Sequence, residues 1–403
     1  MYIPYPCQYL YLLENPALFE GDVMLKKVQW KHVLEDAYEE LLEAEGKLNR
    51  TRVKRSILRK PDFTWKMPIP YFIETNVDKN LVRTSLQVIM QYTCVTFKEE
   101  KVKISNKAGL NIYKGEGCWS YIGRIYEKKP QKVSIGAGCS YQGIIQHEIS
   151  HALGMEHEQS RPDRDKFLTI NAKNIKDGTE AQFTRSSISD VNSFSIAYDY
   201  ASVMHYDQFA FSSNNQKTMV PKMVEYDSTI GQYRRLSFTD VRLINQYYCQ
   251  NRCNPKITNC QQNGYQDPKN CKVCRCPWGL EGKLCNVVKK TKFKCGSNEL
   301  SATTTTKSLI KQGNVDCHFR IKAPMGSLIK INLINVVTQR FLPCWTGQGL
   351  SIKFRSTLAV GGAMYCGNYK NKTITTQSNF ALIHYPGGSK NFGFQITYHS
   401  VKK

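Results

Sequence analysis

The sequence predicts a chain of several domains, of which the last is an all-β sandwich. The chain has 403 residues, which is too long for a single hydrophobic core. All but one of its 15 cysteines follow residue 93 and fall into three groups, as expected for successive disulfide-bonded units. Near the carboxyl end, residues 328–334 and 392–398 alternate apolar and polar side chains as β-strands do.

The most informative run is His-Glu-Ile-Ser-His-Ala-Leu-Gly-Met-Glu-His, which begins at His147. On a helix, His147 and His151 lie one turn apart on the same face and can bind one metal ion. Gly154 lets the helix stop and the chain turn back, which brings in His157 as a third ligand. Three imidazoles leave the fourth tetrahedral position of a zinc ion open for water, and Glu148 lies beside that water. The run therefore predicts a catalytic zinc site; a bare His-Glu-x-x-His could arise by chance.

The surrounding residues resemble the astacin family of metzincins. The run has the metzincin signature, and a Met-turn sequence, Ser-Val-Met-His-Tyr, places Met204 downstream. The extension Glu-x-x-Arg-x-Asp-Arg-Asp, which begins at Glu158, matches every fixed position of the astacin pattern. Met155 stands where many family members have Phe, and both side chains are large and apolar.

The resemblance implies an α+β metzincin catalytic domain over residues 56–250 with zinc endopeptidase activity and one Zn²⁺ per domain. It assigns roles as follows: His147, His151 and His157 bind zinc, Glu148 is the general base, and Tyr206 is a fifth ligand that swings away to stabilise the oxyanion. The alternative for Tyr206 is a packed core aromatic.

The first 55 residues resemble an astacin propeptide. Phe-Glu-Gly-Asp at residues 19–22 matches a family segment whose Asp binds the zinc and displaces the catalytic water. Asp22 is therefore the candidate zymogen switch, and an acid on a surface loop is the alternative. Residues 31–48 are rich in Leu, Ala, Glu and Lys at helical spacing, which predicts a propeptide helix.

A basic run, Arg-Val-Lys-Arg, ends at Arg55. Such runs are common on solvated surfaces. The register of the family's mature domain favours cleavage between Arg55 and Ser56 by a furin-like or trypsin-like protease. The resemblance then implies that the α-amine of Ser56 turns inward and pairs with Glu158, which gives that buried carboxylate a partner.

The three cysteine groups favour disulfides and an oxidising compartment, although Cys271-x-x-Cys274 is also compatible with zinc binding. Six cysteines alone allow fifteen pairings. Residues 251–286 resemble an EGF-like module, and residues 295–400 more loosely resemble a CUB domain, both without the acidic residues typical of their calcium sites. The resemblances imply the following pairs: Cys94–Cys249 and Cys118–Cys139; Cys253–Cys271, Cys260–Cys274 and Cys276–Cys285; and Cys295–Cys317 with Cys344–Cys366.

Localisation is predicted to be secreted and extracellular. No stretch is apolar enough for a transmembrane helix. Residues 1–18 lack the basic and apolar regions of a signal peptide, so we expect the true amino terminus, with its signal peptide, to be missing; Cys7 lies in this stretch. Asn49 and Asn371 begin glycosylation sequons, which also arise by chance.

The formal charge of +23 favours acidic partners. The sequence has no nucleic-acid motif, so anionic matrix or an acidic protein substrate is the favoured partner. Arg234 and Arg235 are candidates for an acid-binding S1′ pocket, with two solvated surface arginines as the alternative.

Two functions remain after these observations. The first is a secreted zinc endopeptidase, made as a zymogen, that cleaves extracellular matrix, cuticle or egg-envelope proteins. The second is a catalytically inactive extracellular adhesion protein that acts through its EGF-like and CUB modules. No predicted zinc ligand is missing and Glu148 is present, which favours the enzyme.

Overall fold

The computed structural model describes residues 14–26, 29, 34, 38, 57, 63–186 and 192–403. The predicted cleavage site at Arg55 and Ser56, the cysteine Cys7 and the sequon at Asn49 lie outside the described residues. Within the predicted propeptide helix, Leu34 and Tyr38 are described, and both are helical and exposed.

The first domain, in its described residues, combines a mixed sheet with three α-helices. Its sheet has six strands in the order β1-β5-β6-β4-β2-β3. All neighbours are parallel except β5 and β6, which are antiparallel. The strands are β1 (Val23–Met24), β2 (Ile69–Ile73), β3 (Phe97–Glu99), β4 (Leu110–Tyr113), β5 (Cys118–Tyr121) and β6 (Gln131–Ile135), followed by the separate hairpin β7 (Leu168–Ile170) and β8 (Met219–Pro221).

The helices of this domain form where capping and apolar spacing agree. They are α1 (Lys79–Tyr92), α2 (Gln142–Ala152) and α3 (Phe238–Tyr248), with short 3₁₀ turns at Glu158–Ser160, Arg164–Lys166, Ala172–Asn174, Glu180–Phe183 and Val224–Tyr226. Asp78 caps α1 by accepting from the Leu81 N–H. Ser237 and Asp240 form a capping box at the start of α3. The buried faces of the three helices join one apolar core with the sheet.

Residues 251–286 form a small module built on three disulfides and the short strands β9 (Tyr265–Asp267), β10 (Asn270–Arg275) and β11 (Leu280–Glu281). The next strand, β12 (Val287–Val288), pairs back with β11. Trp278 anchors this module on the first domain. Its ring lies edge-on to Tyr92, with centroids 5.0 Å apart, and 6.1 Å from the ring of Phe238. Burial of these aromatic rings fixes the module against α1 and α3.

The carboxyl-terminal domain is a sandwich of two five-stranded sheets, as the strand-like alternation predicts. One sheet has the order β13-β15-β21-β17-β18, and the other has β14-β22-β16-β19 with β20 also paired to β16. The strands are β13 (Glu299–Ser301), β14 (Lys307–Gln312), β15 (Cys317–Lys322), β16 (Ser327–Val337), β17 (Leu350–Lys353), β18 (Ala363–Tyr365), β19 (Asn368–Tyr369), β20 (Lys372–Thr375), β21 (Phe380–Tyr385) and β22 (Gly393–Lys402).

The sandwich packs directly on the first domain. The Gly361 N–H donates to Oδ1 of Asp199 at 2.9 Å, and a Cβ on Gly361 would lie 2.2 Å from the Cβ of Ala201. Arg355 donates to the carbonyl oxygen of Tyr198 at 2.5 Å. Only glycine permits this close approach of the two domains.

Seven disulfides join the described cysteines in the pairs that the resemblances imply: Cys94–Cys249, Cys118–Cys139, Cys253–Cys271, Cys260–Cys274, Cys276–Cys285, Cys295–Cys317 and Cys344–Cys366. Among the described residues, no helix has the length and apolar character that a membrane span needs.

Candidate metal centre and active site

Helix α2 positions the first two histidines. Every residue from Gly143 to Ala152 is buried, so His147 and His151 project from a rigid core helix. The helix ends in a Schellman arrangement: the Gly154 N–H donates to the His151 carbonyl, and the Met155 N–H donates to the Ser150 carbonyl. Gly154 has a φ of 101°, which favours glycine. This turn redirects the chain towards the third histidine.

The three imidazoles converge on one point. Nε2 of His147 lies 3.0 Å from Nε2 of His151 and 3.2 Å from Nε2 of His157. All three side chains are buried. Donor atoms around a tetrahedral zinc ion are about 3.3 Å apart, so this spacing is that of a shared metal ion.

Backbone carbonyl groups orient two of the three rings. Nδ1 of His147 donates to the carbonyl oxygen of Val203, and Nδ1 of His151 donates to that of Met155, each at 2.8 Å. With the proton on Nδ1, the Nε2 lone pair is free to bind a metal ion.

Asp22 supplies a fourth donor from the amino-terminal segment (residues 14–26). Its Oδ2 lies 2.9 Å from Nε2 of His147 and 3.3 Å from Nε2 of His157, and its Oδ1 lies 3.5 Å from Nε2 of His151. Strand β1 follows it immediately and pairs parallel with β5, and the Ser120 N–H donates to the Asp22 carbonyl. The edge of the sheet therefore holds this carboxylate over the histidines.

The donor set fits zinc. The ligand atoms of Asp22 and the three histidines all lie within 4.8 Å of one another. Oδ1 of Asp22 is buried without a hydrogen-bond partner, and such an atom is costly unless something binds it. Three imidazoles and a carboxylate are ligands that zinc prefers. The centre is a zinc site.

Glu148 and Tyr206 flank this centre with unsatisfied polar atoms. Both carboxylate oxygens of Glu148 and the hydroxyl of Tyr206 are buried without hydrogen-bond partners. Burial and the Asp22 carboxylate raise the pKa of Glu148 well above its usual range. Burial also raises the pKa of Tyr206, so its phenol keeps its proton. Its ring lies 4.8 Å from the ring of His157.

Met204 and Glu158 form the floor of the site. Met204 is buried in the core that contains α2, and its carbonyl accepts from the Glu158 N–H at 2.8 Å. The Glu158 carboxylate accepts from Arg161 at 3.0 Å and from the Asp199 N–H at 2.8 Å. Burial raises the pKa of Glu158 to about 8, against the opposing effect of Arg161. Arg161 also pairs with Asp163, an arrangement that local sequence spacing does not reveal.

Sequence reasoning missed two further carboxylates of the amino-terminal segment. Glu20 accepts from Nδ1 of His157 at 2.6 Å and from the hydroxyl of Ser160. It is therefore the third ring-orienting group of the centre. Burial and the nearby Asp207 raise the pKa of Glu14 to about 8, and one oxygen of Glu14 is buried without a partner. The pattern Phe-x-Gly-Asp leaves the position of Glu20 open, so it gave no signal.

The structure favours the alternative for the arginine pair, because Arg234 and Arg235 are both exposed. The guanidinium of Arg235 lies 5.2 Å from the centre of the Trp278 ring, and Arg234 and Arg235 both line a cavity between the first domain, the small module and the sandwich. Burial and the nearby carboxylates of Asp207, Glu14 and Asp22 raise the pKa of the Tyr233 phenol.

Comparisons with known proteins agree with this geometry. The family model described as Astacin, a peptidase family, matches residues 57–249. Zinc metalloproteinase nas-34 of Caenorhabditis elegans is 34% identical over 396 residues, covering 96% of this chain and 65% of the relative. Zinc metalloproteinase nas-23 of the same organism is 32% identical over 406 residues, covering 96% of this chain and 73% of the relative.

Among solved structures, the medaka hatching enzyme HCE-1, a zinc protease of Oryzias latipes, is 32% identical with a TM-score of 0.41 and covers 46% of this chain and 94% of its own. The chain spans 65% of the length of nas-34 and 48% of that of nas-30. The fold and the three-histidine centre define a metzincin-type zinc metalloproteinase. Within that class, the chain belongs to the astacin family.

Proposed function

We propose that this chain is a latent zinc endopeptidase, made as a zymogen. One observation carries the proposal: a complete hydrolytic centre is occupied by a carboxylate of the chain's own amino-terminal segment. Asp22 lies where a water or a scissile carbonyl would otherwise approach the histidines. A carboxylate is a strong zinc ligand, so its presence blocks the open position that catalysis needs.

Glu148 acts as the general base and then as the general acid. Bound zinc would polarise the scissile carbonyl and lower the pKa of the attacking water. The Asp22 carboxylate is one of the two causes that raise the pKa of Glu148, so its departure favours the ionised, basic form. Glu148 then takes a proton from the water and passes it to the leaving amine. The protonated phenol of Tyr206 donates to the oxyanion.

Removal of the amino-terminal segment also frees the edge of the sheet. Strand β1 covers β5, so its departure leaves an unpaired strand beside the zinc site. An extended substrate can then bind by backbone hydrogen bonds to that edge. Substrate recognition is thus expected to begin with a β-strand addition.

Maturation by a furin-like or trypsin-like protease between Arg55 and Ser56 fits the surroundings of Ile57. Ile57 is buried, forms a β-bridge with Met155 and exchanges backbone hydrogen bonds with Asn192. Ile57 therefore lies close to the end of α2. A freed α-amine at Ser56 would add a partner for Glu158.

The remaining modules favour an extracellular setting. The seven disulfides that the structure describes over residues 94–366 are typical of secreted proteins. We assign residues 251–286 as EGF-like and residues 295–400 as CUB, with Asn371 exposed at a turn and available for glycosylation. Extracellular matrix, cuticle or egg-envelope proteins are the proposed substrates, and the positive charge favours acidic ones.

Glu148→Ala tests the catalytic proposal. The matured variant should bind zinc and fold normally, because Glu148 is not a ligand, yet its peptidase rate should fall by about three orders of magnitude. Casein hydrolysis and zinc content by mass spectrometry would be measured, with the exposed Glu127→Ala as control. Near-normal turnover would remove Glu148 from the mechanism, and a wild-type chain silent after maturation would support the adhesion alternative.

A further inference from the structure

A second histidine cluster lies in the sandwich, remote in sequence from the zinc motif. His318 on β15 and His384 on β21 are direct cross-strand partners, so their side chains leave the sheet on the same face. Their rings stack with centroids 4.1 Å apart. A directly opposed pair of this kind can present two imidazole nitrogens to one ion.

Asp316 completes the cluster. Its Oδ1 lies 2.8 Å from Nε2 of His384 and 4.0 Å from Nε2 of His318. The ligand atoms of all three residues lie within 4.8 Å of one another. The cluster therefore has two nitrogen donors and one carboxylate donor on a rigid sheet.

His318 is buried and has one unsatisfied ring nitrogen. Its side chain is only 7% exposed, and its Nδ1 has no hydrogen-bond partner. Its Nε2 lies 4.0 Å from Oδ1 of Asp316, which is too long for a hydrogen bond but within reach of an ion bound to both atoms.

The cluster faces the cavity of about 760 Å³ between the three structural units, so a bound ion would have room for water ligands. Lys289 and Lys353 also line this cavity, and their positive charges oppose a cation. The carboxylate of Asp316 is the compensating charge. Lys289 is exposed, so its effect can be tested without disturbing the fold.

We propose that Asp316, His318 and His384 form a second metal site, separate from the catalytic centre, for a divalent transition-metal ion of the zinc type. Two imidazoles and a carboxylate suit zinc and its neighbours, whereas calcium and magnesium prefer oxygen ligands. The ion would join β15 to β21 next to Gly279 of the small module, where a Cβ would lie 3.4 Å from Nδ1 of His318. It would thus stabilise the junction of the three units.

Zinc titration of the latent full-length chain tests this site, because the readout is metal binding and not peptidase activity. Equilibrium dialysis should find about two zinc ions per chain. Asp316→Asn and His384→Gln should each weaken the second ion by about tenfold or more, and leave the catalytic ion in place. Lys289→Gln should strengthen the second ion several-fold, because it removes an opposing charge.

The matched control is His399→Gln, which changes a histidine of β22 on the other sheet. It should bind both ions as the wild type does. Retention of the catalytic zinc and an unchanged circular dichroism spectrum show that a variant is folded. If His384→Gln fails that check, the test rests on Asp316→Asn, because Asp316 is partly exposed. A wild-type chain with a single zinc, or a folded Asp316→Asn chain with an unchanged second ion, would overturn the proposal.

Discussion

Two parts of the chain meet at the catalytic centre, and they are held in place by different means. The histidine side consists of α2 and the turn after it, with side chains fixed in an apolar core. The segment at residues 14–26 contributes carboxylates that precede a two-residue strand along the chain. A buried helix is held whether or not a metal binds, whereas the segment depends on charge and on edge pairing. The centre thus combines histidines that the core of the first domain holds with carboxylates of an amino-terminal segment that can be removed.

The largest expected effect comes from Asp22, which links the amino-terminal segment to the three histidines. Asp22→Ala should give a full-length chain with peptidase activity at least about a hundredfold above the latent wild type, because the open zinc position is no longer blocked. Hydrolysis of a quenched fluorescent peptide by the uncleaved chain measures this. Asp177→Ala, at an exposed acid, is the control. A silent and stable Asp22→Ala chain would show that steric cover holds the enzyme off.

Glu20 belongs to the amino-terminal segment but orients the zinc-binding His157, which stays in the chain after that segment is removed. Glu20→Gln weakens the bond to Nδ1 of His157, and losses of such supporting groups cost about 10- to 100-fold in metal affinity. The latent variant should therefore lose zinc to a competing chelator more readily. Glu180→Gln, at an exposed acid outside the segment, is the matched control. After maturation the Glu20 variant and the wild type should be identical, since both have lost the segment; a difference that persists would contradict this role.

The smallest effect is a dependence of segment binding on pH. The pKa of Glu14 is raised from 4.5 to about 8 in the docked state, by burial and by Asp207. Docking therefore favours the protonated form, so it should weaken as the pH rises from about 4.5 towards about 8 and stay constant above that. The test is inhibition of the mature enzyme by a peptide of residues 14–26, with and without Glu14→Gln.

The ratio of the two inhibition constants removes the pH dependence of the enzyme itself. The advantage of the Glu14→Gln peptide should be smallest near pH 4, and it should grow with pH until that peptide binds at least several-fold more tightly by pH 8. A ratio that does not change with pH would mean that Glu14 is not buried against Asp207 in the docked state.

The positions of the zinc-binding histidines could be predicted from the sequence because helix geometry is local. A spacing of four residues sets His147 and His151 on one face, and a glycine at the helix end fixes the return of the chain. The contact of Glu20 could not be predicted from the sequence. Glu20 pairs with a residue 137 positions away, and no periodicity reports such a pairing.

The sequence also did not show which side chains of residues 233–235 are buried and which are exposed. Tyr233 is partly buried while Arg235 is exposed, with its guanidinium 5.2 Å from the centre of the Trp278 ring. The contact of Arg235 depends on the small module, which carries Trp278. His318 and His384 also gave no signal in the sequence, because only the strand register shows that they lie opposite each other.

Asp199 carries a practical consequence for anyone who shortens this chain. Its carboxylate accepts from Gly361 in the sandwich and from Thr239 of α3, while its N–H donates to Glu158, the neighbour of a zinc ligand. An excised first domain would expose one of these acceptors and the apolar surface around it. Recombinant expression should therefore keep the carboxyl-terminal sandwich, because its contacts with the first domain cover this surface.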